Sequence, residues 1–145
     1  MALKVVVADD DANVCAALCD LLQDDERLEV TATAENAEDA VHQVADTHPD
    51  VAVLDVRMPG SGIEAGRRIL QASPDTTVVL VSAQVDSSLV TAALAAGVRG
   101  VFVKGRLGSY MPDLVVSCHQ GAVVLDTPAA VDGLRAFAGE PGAPA

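Results

Sequence analysis

The chain has very few aromatic residues: of its 145 residues, two are Phe, one is Tyr and none is Trp. Because hydrophobic residues still make up 50% of the sequence, the core has to be built from Val, Leu, Ala and Ile. No apolar run approaches the roughly 18 residues of a membrane-spanning helix. The N-terminus lacks a secretory signal pattern, since Lys4 is followed by a short apolar stretch and then by acids. We therefore expect one cytoplasmic domain without a membrane partner.

Basic residues are also scarce. Lys and Arg number 9 against 21 Asp and Glu, which gives a net charge of −12. Contacts to nucleic-acid phosphates require clustered basic side chains, and here only Arg67 and Arg68 are adjacent. The sequence therefore argues against DNA binding by this chain alone, so that any action on DNA would require a further domain.

The chain has only three cysteines, which is typical of a reducing compartment. Cys15 and Cys19 lie four residues apart, on one face of a predicted helix, while Cys118 stands alone. A metal-binding pair is conceivable, but no neighbouring Cys or His completes such a site. We interpret the pair as core packing.

Five apolar runs alternate with five segments of helical pattern. The predicted strands cover residues 3–8, 28–34, 51–54, 77–81 and 100–103, and the predicted helices cover 12–23, 37–47, 63–72, 88–96 and 114–120. Asp10 or Asp11 is expected to cap the first helix, and Pro112 fits only near the first turn of the last. Strands separated by helices pair in parallel through right-handed crossovers, so we predict an α/β fold with a doubly wound sheet.

Charged or polar residues follow four of these strands directly. The first strand ends at Asp9 and Asp10, the third at Asp55, the fourth at Ser82 and the fifth at Lys104. Because parallel strands present their carboxyl ends at one side of the sheet, these side chains should lie close together. Clustered carboxylates repel unless a cation lies among them, and Mg²⁺ prefers oxygen ligands. A lysine is suited to binding phosphate.

Each of these residues can also be read as purely structural. An aspartate after a strand often caps a turn or a helix, which would account for Asp9, Asp10 or Asp55 taken singly. Ser82 could be an ordinary loop serine and Lys104 a surface charge. The presence of all of them at four strand ends favours a functional interpretation. The histidines, His42, His48 and His119, lie in helical or helix-end segments and are interpreted as surface or interface residues.

This ordered set resembles the receiver domain of bacterial two-component response regulators. The matching residues are Asp9, Asp10, Asp55, Met58, Pro59, Ser82, Ala83 and Lys104. The resemblance covers about residues 1–125. Through Ala8-Asp9-Asp10, Gly97-Val98-Arg99-Gly100 and residues 121–125, it leans toward the NarL/FixJ type, whose receivers precede a helix-turn-helix DNA-binding domain.

The resemblance implies a flavodoxin-like, five-stranded parallel sheet in the order 2-1-3-4-5. It also implies that Asp55 is the phosphoacceptor, and that Asp10, Asp55 and the backbone carbonyl of Arg57 bind Mg²⁺, with Asp9 acting mainly through a water. Lys104 would pair with the phosphoryl oxygens and Ser82 would donate a hydrogen bond to them. Such a protein is a signalling phosphoacceptor that promotes its own phosphotransfer and dephosphorylation, not an enzyme.

The implied partners are a sensor histidine kinase and a second copy of the chain. DNA would be reached only through an absent C-terminal helix-turn-helix domain. We accordingly divide the chain into a receiver domain at 1–125, a C-terminal helical extension at 126–138 and a linker at 139–145.

Three positions depart from the family pattern. Val101 stands where an aromatic residue usually lies, three residues before the lysine, and Phe102 should point to the opposite face of the sheet. In the loop after Asp55, the stretch Met58-Pro59-Gly60-Ser61-Gly62 is one residue shorter than usual. Pro112 falls where the fifth helix should already be running, so that helix should start late or bend.

Other functions remain open at this stage. A stand-alone or atypical receiver could act by protein binding without regulated phosphorylation. An aspartyl-nucleophile phosphatase generally needs a second acid two residues after the nucleophile, and Arg57 occupies that place. A flavin or dinucleotide binder would need a glycine-rich loop after the first strand, where this chain has acids.

Overall fold

The computed structural model describes residues 2–106 and 108–125. The predicted C-terminal extension at 126–138 and linker at 139–145 lie outside these residues. Within the described ranges, no helix combines the length and the apolar character needed to span a bilayer.

The described chain alternates strands and helices as the sequence predicts. The strands are β1 Leu3–Ala8, β2 Leu28–Ala34, β3 Val51–Asp55, β4 Thr77–Ser82, β5 Gly100–Val103 and β6 Val124–Leu125. The helices are α1 Ala12–Gln23, α2 Ala37–Thr47, α3 Gly62–Ala72, α4 Ser87–Ala95 and α5 Met111–His119, and a 3₁₀ turn covers Lys104–Arg106. All strand pairs are parallel, in the order β2-β1-β3-β4-β5-β6. The predicted α/β fold class is confirmed.

The sheet contains a sixth strand that the sequence interpretation did not include. The short apolar segment at 123–125 returns beside β5, where Val124 pairs with Gly100 and Leu125 with Val101. The backbone N–H of Val124 donates to the carbonyl of Arg99 at 2.9 Å. A two-residue strand is too short to show an alternating pattern, so its pairing was not predictable from periodicity.

Helix α5 begins earlier than predicted. It starts at Met111 with Tyr110 as the N-cap residue, so Pro112 lies in its first turn. Proline is tolerated there because the N–H groups of the first turn have no acceptor within the helix. The prediction that the helix would begin at residue 114 was therefore wrong, because Pro112 does not delay the start.

Helix caps set the start of the other helices. The side chain of Asp11 accepts hydrogen bonds from the N–H groups of Asn13 and Val14, which confirms one of the two predicted caps for α1. Asn36 and Asp86 cap α2 and α4 in the same way. Capping of this kind stabilises a helix by about 1 kcal/mol.

The core consists of two aliphatic layers, one on each face of the sheet. Helices α2, α3 and α4 cover one face, and α1 and α5 cover the other. Val101 packs into the first layer and the fully buried Phe102 into the second, so the two side chains point to opposite faces as predicted. Strand β3 is buried along its whole length, which fixes Asp55 at the end of a rigid element.

Candidate functional site

The strand registers bring the four polar strand ends to one end of the sheet, here called the carboxyl end. Ala8 of β1 pairs with Leu54 of β3, so Asp9 and Asp55 follow neighbouring positions. Asp55 pairs with Val81, and Ser82 pairs with Val103, the residue before Lys104. The parallel order predicted from the sequence is therefore what brings these side chains together.

Three carboxylates form a cluster at this end. One oxygen from each of Asp9, Asp10 and Asp55 lies within 4.8 Å of the other two. Asp9 and Asp55 are buried, whereas Asp10 is exposed. Asp9 accepts a hydrogen bond from the N–H of Asp11 at 2.9 Å, a contact within the acidic run that the sequence interpretation did not predict.

Lys104 provides the cation within this cluster. Its Nζ lies 2.8 Å from Oδ2 of Asp9 and 3.2 Å from Oδ1 of Asp55. Burial alone would lower the pKa of Lys104, but its hydrogen bonds to the two carboxylates outweigh this effect and raise the pKa. The ammonium is therefore firmly charged, and the three carboxylates and one ammonium leave a net charge of −2.

Several interactions shift the pKa of Asp55 in opposite directions. Burial raises its pKa, and the charge of Asp9 acts in the same direction. The N–H of Arg57, 3.3 Å from Oδ1, and Lys104 both act against this rise but do not cancel it. The ionised carboxylate is thus held in a place that disfavours its charge, as is common at functional sites.

The donor set fits a hard divalent cation such as Mg²⁺. The Oδ2 atom of Asp9 is buried and has no hydrogen bond of good geometry beyond its ion pair with Lys104. Mg²⁺ takes oxygen ligands and retains waters, so a partly exposed group of carboxylates suits it better than a closed cage. A charge of +2 would also balance the net charge of the cluster.

Ser82 lies beside this cluster but is engaged elsewhere. Its buried hydroxyl donates to the carbonyl of Gln84 at 2.8 Å. Arg57, Ser82, Gln84 and Asp86 contribute to a groove of about 380 Å³ next to the site. No signal in the sequence singled out Gln84, because the contact depends on how the chain turns after β4.

The loop after Asp55 is short and conformationally strained. Gly60 has φ +87°, and Ser61 follows with φ 73° and ψ 129°, a region that L-residues rarely occupy. The loop is anchored to α2, since the N–H of Ala37 donates to the carbonyl of Pro59 at 2.8 Å. The sequence revealed that the loop is short, but not where the strain falls.

The three histidines are engaged elsewhere on the described chain. His42 pairs with Glu38 at 3.1 Å on the exposed face of α2, and His48 ends that helix with φ 48°. His119 lies 3.4 Å from the hydroxyl of Thr77 at the amino end of the sheet. None of them belongs to the carboxylate cluster among the described residues.

Comparison with known proteins gives a consistent family. The model of the response regulator receiver domain matches residues 5–108. The chain is 33% identical over 124 residues to the transcriptional regulatory protein LnrK of Bacillus subtilis, covering 85% of this chain and 56% of that protein. It is 36% identical over 129 residues to the DNA-binding transcriptional activator DevR/DosR of Mycobacterium tuberculosis, covering 88% and 59%. The chain thus spans less than two thirds of these curated relatives.

Solved structures lead to the same fold. The signal receiver domain of a NarL response regulator from Mycobacterium tuberculosis superposes with a TM-score of 0.79 at 28% identity, covering 83% of this chain and 98% of that one. The resemblance drawn from the strand ends, including its NarL-type leaning, is confirmed. With the family model matching well over half of its residues, the chain belongs to the response regulator receiver family.

Proposed function

We propose that this chain is the phosphoacceptor of a two-component response regulator, and that Asp55 takes a phosphoryl group from a phosphohistidine of a sensor histidine kinase. The observation that carries this proposal is the position of Lys104, whose ammonium lies within 3.2 Å of both Asp9 and Asp55. A cation held by two buried carboxylates is already located where an incoming phosphoryl group needs one.

The transfer exchanges one bond to phosphorus for another. A carboxylate oxygen of Asp55 bonds to phosphorus while the phosphorus–nitrogen bond of the phosphohistidine breaks. The electron pair of that bond returns to the imidazole nitrogen. Lys104 pairs with the phosphoryl oxygens, and the Ser82 hydroxyl leaves the carbonyl of Gln84 to donate to one of them.

The metal-binding part of the proposal concerns Asp9, Asp10, Asp55 and the backbone carbonyl of Arg57. Asp10, Asp55 and this carbonyl would hold Mg²⁺, and Asp9 would act mainly through a water. When bound, the ion supplies positive charge that stabilises the phosphoryl oxygens. The close carboxylate oxygens support this assignment.

The output we propose is control of transcription in the cytoplasm, through a homodimer and a C-terminal helix-turn-helix DNA-binding domain beyond these residues. The names of the matching relatives support it, since they include a transcriptional regulatory protein and a DNA-binding transcriptional activator. The net charge of −12 means that this chain would not itself bind DNA. A signalling step of this kind is stoichiometric and not enzymatic turnover.

A second candidate is an atypical receiver that acts by protein binding without regulated phosphorylation. Two observations favour it: Val101 occupies the place of the usual aromatic switch, and the strained turn at Gly60 and Ser61 lies close to the site. In this case the carboxylates and Lys104 would be a stable ion-pair network that fixes one conformation.

Intact mass after incubation with acetyl phosphate, with and without Mg²⁺, distinguishes these functions. We expect one phosphoryl group on the wild-type chain in Mg²⁺, none with EDTA, and none on Asp55→Asn. Asp50→Asn is the matched control and should be modified like the wild type, because Asp50 lies at the opposite end of the sheet, where it accepts a hydrogen bond from the N–H of Lys4. A folded wild-type chain that gains no phosphoryl group would support the atypical receiver.

A further inference from the structure

Helix α1 carries two thiols that the phosphoacceptor proposal does not use. Cys15 and Cys19 are four residues apart, so their side chains project from one face of the helix. Both are partly exposed, whereas Cys118 is buried. Both side chains line the same surface groove, which places them beside each other in the folded protein.

The surroundings of this pair favour a bound cation. The two thiols line a surface groove of about 260 Å³ together with Asp9 and Glu35. The negative charges of both carboxylates act on Cys15. None of the described residues that line the groove is basic. A positive ion in this groove would therefore meet a negative potential and two sulfur donors.

Disulfide formation between these cysteines is not favoured by the helix. Residues four apart in a helix have Cβ atoms about 5–6 Å apart, whereas a disulfide requires about 3.5–4.5 Å. Closing that bond would distort α1 near its capped N-terminus. Two metal–sulfur bonds of about 2.3 Å each join sulfur atoms about 4.6 Å apart, so a metal bridge does not require the two Cβ atoms to approach as closely as a disulfide does.

The available ligands restrict the kind of ion. Zinc in a structural site needs four ligands, and among the described residues no third Cys or His joins the pair. Soft thiolates select monovalent copper, which is satisfied by two sulfur donors. We propose that Cys15 and Cys19 form a two-coordinate dithiolate site for a thiophilic monovalent cation of the Cu(I) class.

Binding follows a simple exchange. Burial raises the pKa of both thiols, that of Cys19 to about 11, so both are protonated at neutral pH. The ion displaces the two sulfur-bound protons, which pass to solvent as two metal–sulfur bonds form. No electron is transferred, so the ion enters and remains as Cu(I).

The test is an anaerobic titration with Cu(I) against the competing chelator bathocuproine disulfonate, with stoichiometry read by native mass spectrometry. The wild-type chain should retain one Cu(I). Cys15→Ser and Cys19→Ser should each bind at least about tenfold more weakly. Cys118→Ala should bind like the wild type, because that thiol is buried and donates to the carbonyl of Arg99. Equal retention by the serine variants, or none by the wild type, would overturn the proposal.

Two further measurements separate a loss of the copper site from a loss of fold and from phosphoacceptor chemistry. Thermal unfolding of each variant shows whether a loss of copper reflects a loss of fold. Because both cysteines pack against the core layer beneath α1, as the sequence interpretation expected, the serine variants should melt slightly lower than the wild type but remain folded at the temperature of the titration. Asp55→Asn should keep its copper, since Asp55 is not among the residues that line the groove. Tight binding of Zn²⁺ with copper-like affinity would contradict the two-coordinate assignment, as would an intramolecular disulfide that forms readily under mild oxidation.

Discussion

The two ends of the parallel sheet both carry buried polar groups, but they treat them differently. At the amino end, Thr76 is buried with its hydroxyl bonded to Ser73 and to the carbonyl of Pro49, and Arg99 donates to the carbonyl of Gly121. At the carboxyl end, Asp9 and Asp55 are buried beside each other and share one ammonium. At the amino end these polar groups are paired, whereas at the carboxyl end the negative charges outnumber the single positive charge.

This difference in charge balance is why we propose that the carboxyl end carries the chemistry. The larger surface depression, about 440 Å³, lies at the amino end and is lined in part by Thr76, Arg99 and His119. These three side chains already have hydrogen-bond partners within the fold. The carboxyl end has the smaller groove but the unbalanced charge, and unbalanced charge is what a metal ion or a phosphoryl group can use. Cavity size alone would not single out the carboxyl end.

Removing Lys104, the cation that Asp9 and Asp55 share, should change the free energy of unfolding most. In Lys104→Met, two buried carboxylates lose their partner, and we expect the free energy of unfolding in EDTA to fall by about 3 kcal/mol. Urea unfolding measures it, with the exposed Lys4→Met as the control. A loss no greater than in the control would show that Lys104 stabilises the carboxyl end of the sheet no more than the exposed Lys4 stabilises the amino end.

The second largest effect should come from adding a methyl group in the loop at the carboxyl end. A Cβ on Gly62 would lie 2.2 Å from the backbone oxygen of Asp55, whereas a Cβ on Gly105 meets nothing within 4 Å. Gly62→Ala should therefore destabilise the protein by about 2–3 kcal/mol and slow phosphorylation by displacing Asp55. Gly105→Ala should leave both unchanged. Thermal unfolding and phosphoryl uptake would report the two effects, and a normal rate in Gly62→Ala would contradict the second.

A satisfied hydroxyl at the amino end should matter for stability alone. Thr76→Val keeps the shape of the side chain but removes both hydrogen bonds, so we expect a loss of about 1–2 kcal/mol. Phosphoryl uptake by Thr76→Val should be unchanged, whereas Gly62→Ala should slow it. Thr33→Val on the exposed side of β2 provides the control for urea unfolding. Slower phosphorylation in Thr76→Val would contradict this prediction, because it would show that a change at the amino end of the sheet alters the site at the carboxyl end.

The smallest of these changes in the free energy of unfolding should be an increase, and we expect it for Asp55→Asn. Because burial raises the pKa of Asp55, its ionised form disfavours the folded state, and Asp55→Asn should raise the free energy of unfolding in EDTA by less than about 1 kcal/mol at neutral pH. As the pH falls through this raised pKa, the wild type takes up the proton and the advantage of the variant disappears. Urea unfolding across pH measures this, and an advantage that grew on acidification would contradict it.

The sequence predicted those parts of the molecule that depend on strand ends and helix caps. Asp9, Asp55, Ser82 and Lys104 each end an apolar run, and parallel pairing alone brings such residues together. It did not reveal the ion pairs of Lys104, which depend on side-chain reach, or the bond from Ser82 to Gln84, which depends on a turn. It also missed the start of α5 at Met111 and the pairing of β6, because a proline in a first turn and a two-residue strand have no periodic signature.

The scarcity of aromatic residues has a practical consequence. Tyr110 is the single tyrosine in a chain without tryptophan, it is the N-cap residue of α5, and it is 42% exposed. The intrinsic fluorescence of the unlabelled protein therefore comes from one position, at the start of the helix that follows Lys104. This chain therefore carries its own optical reporter in the segment that directly follows Lys104.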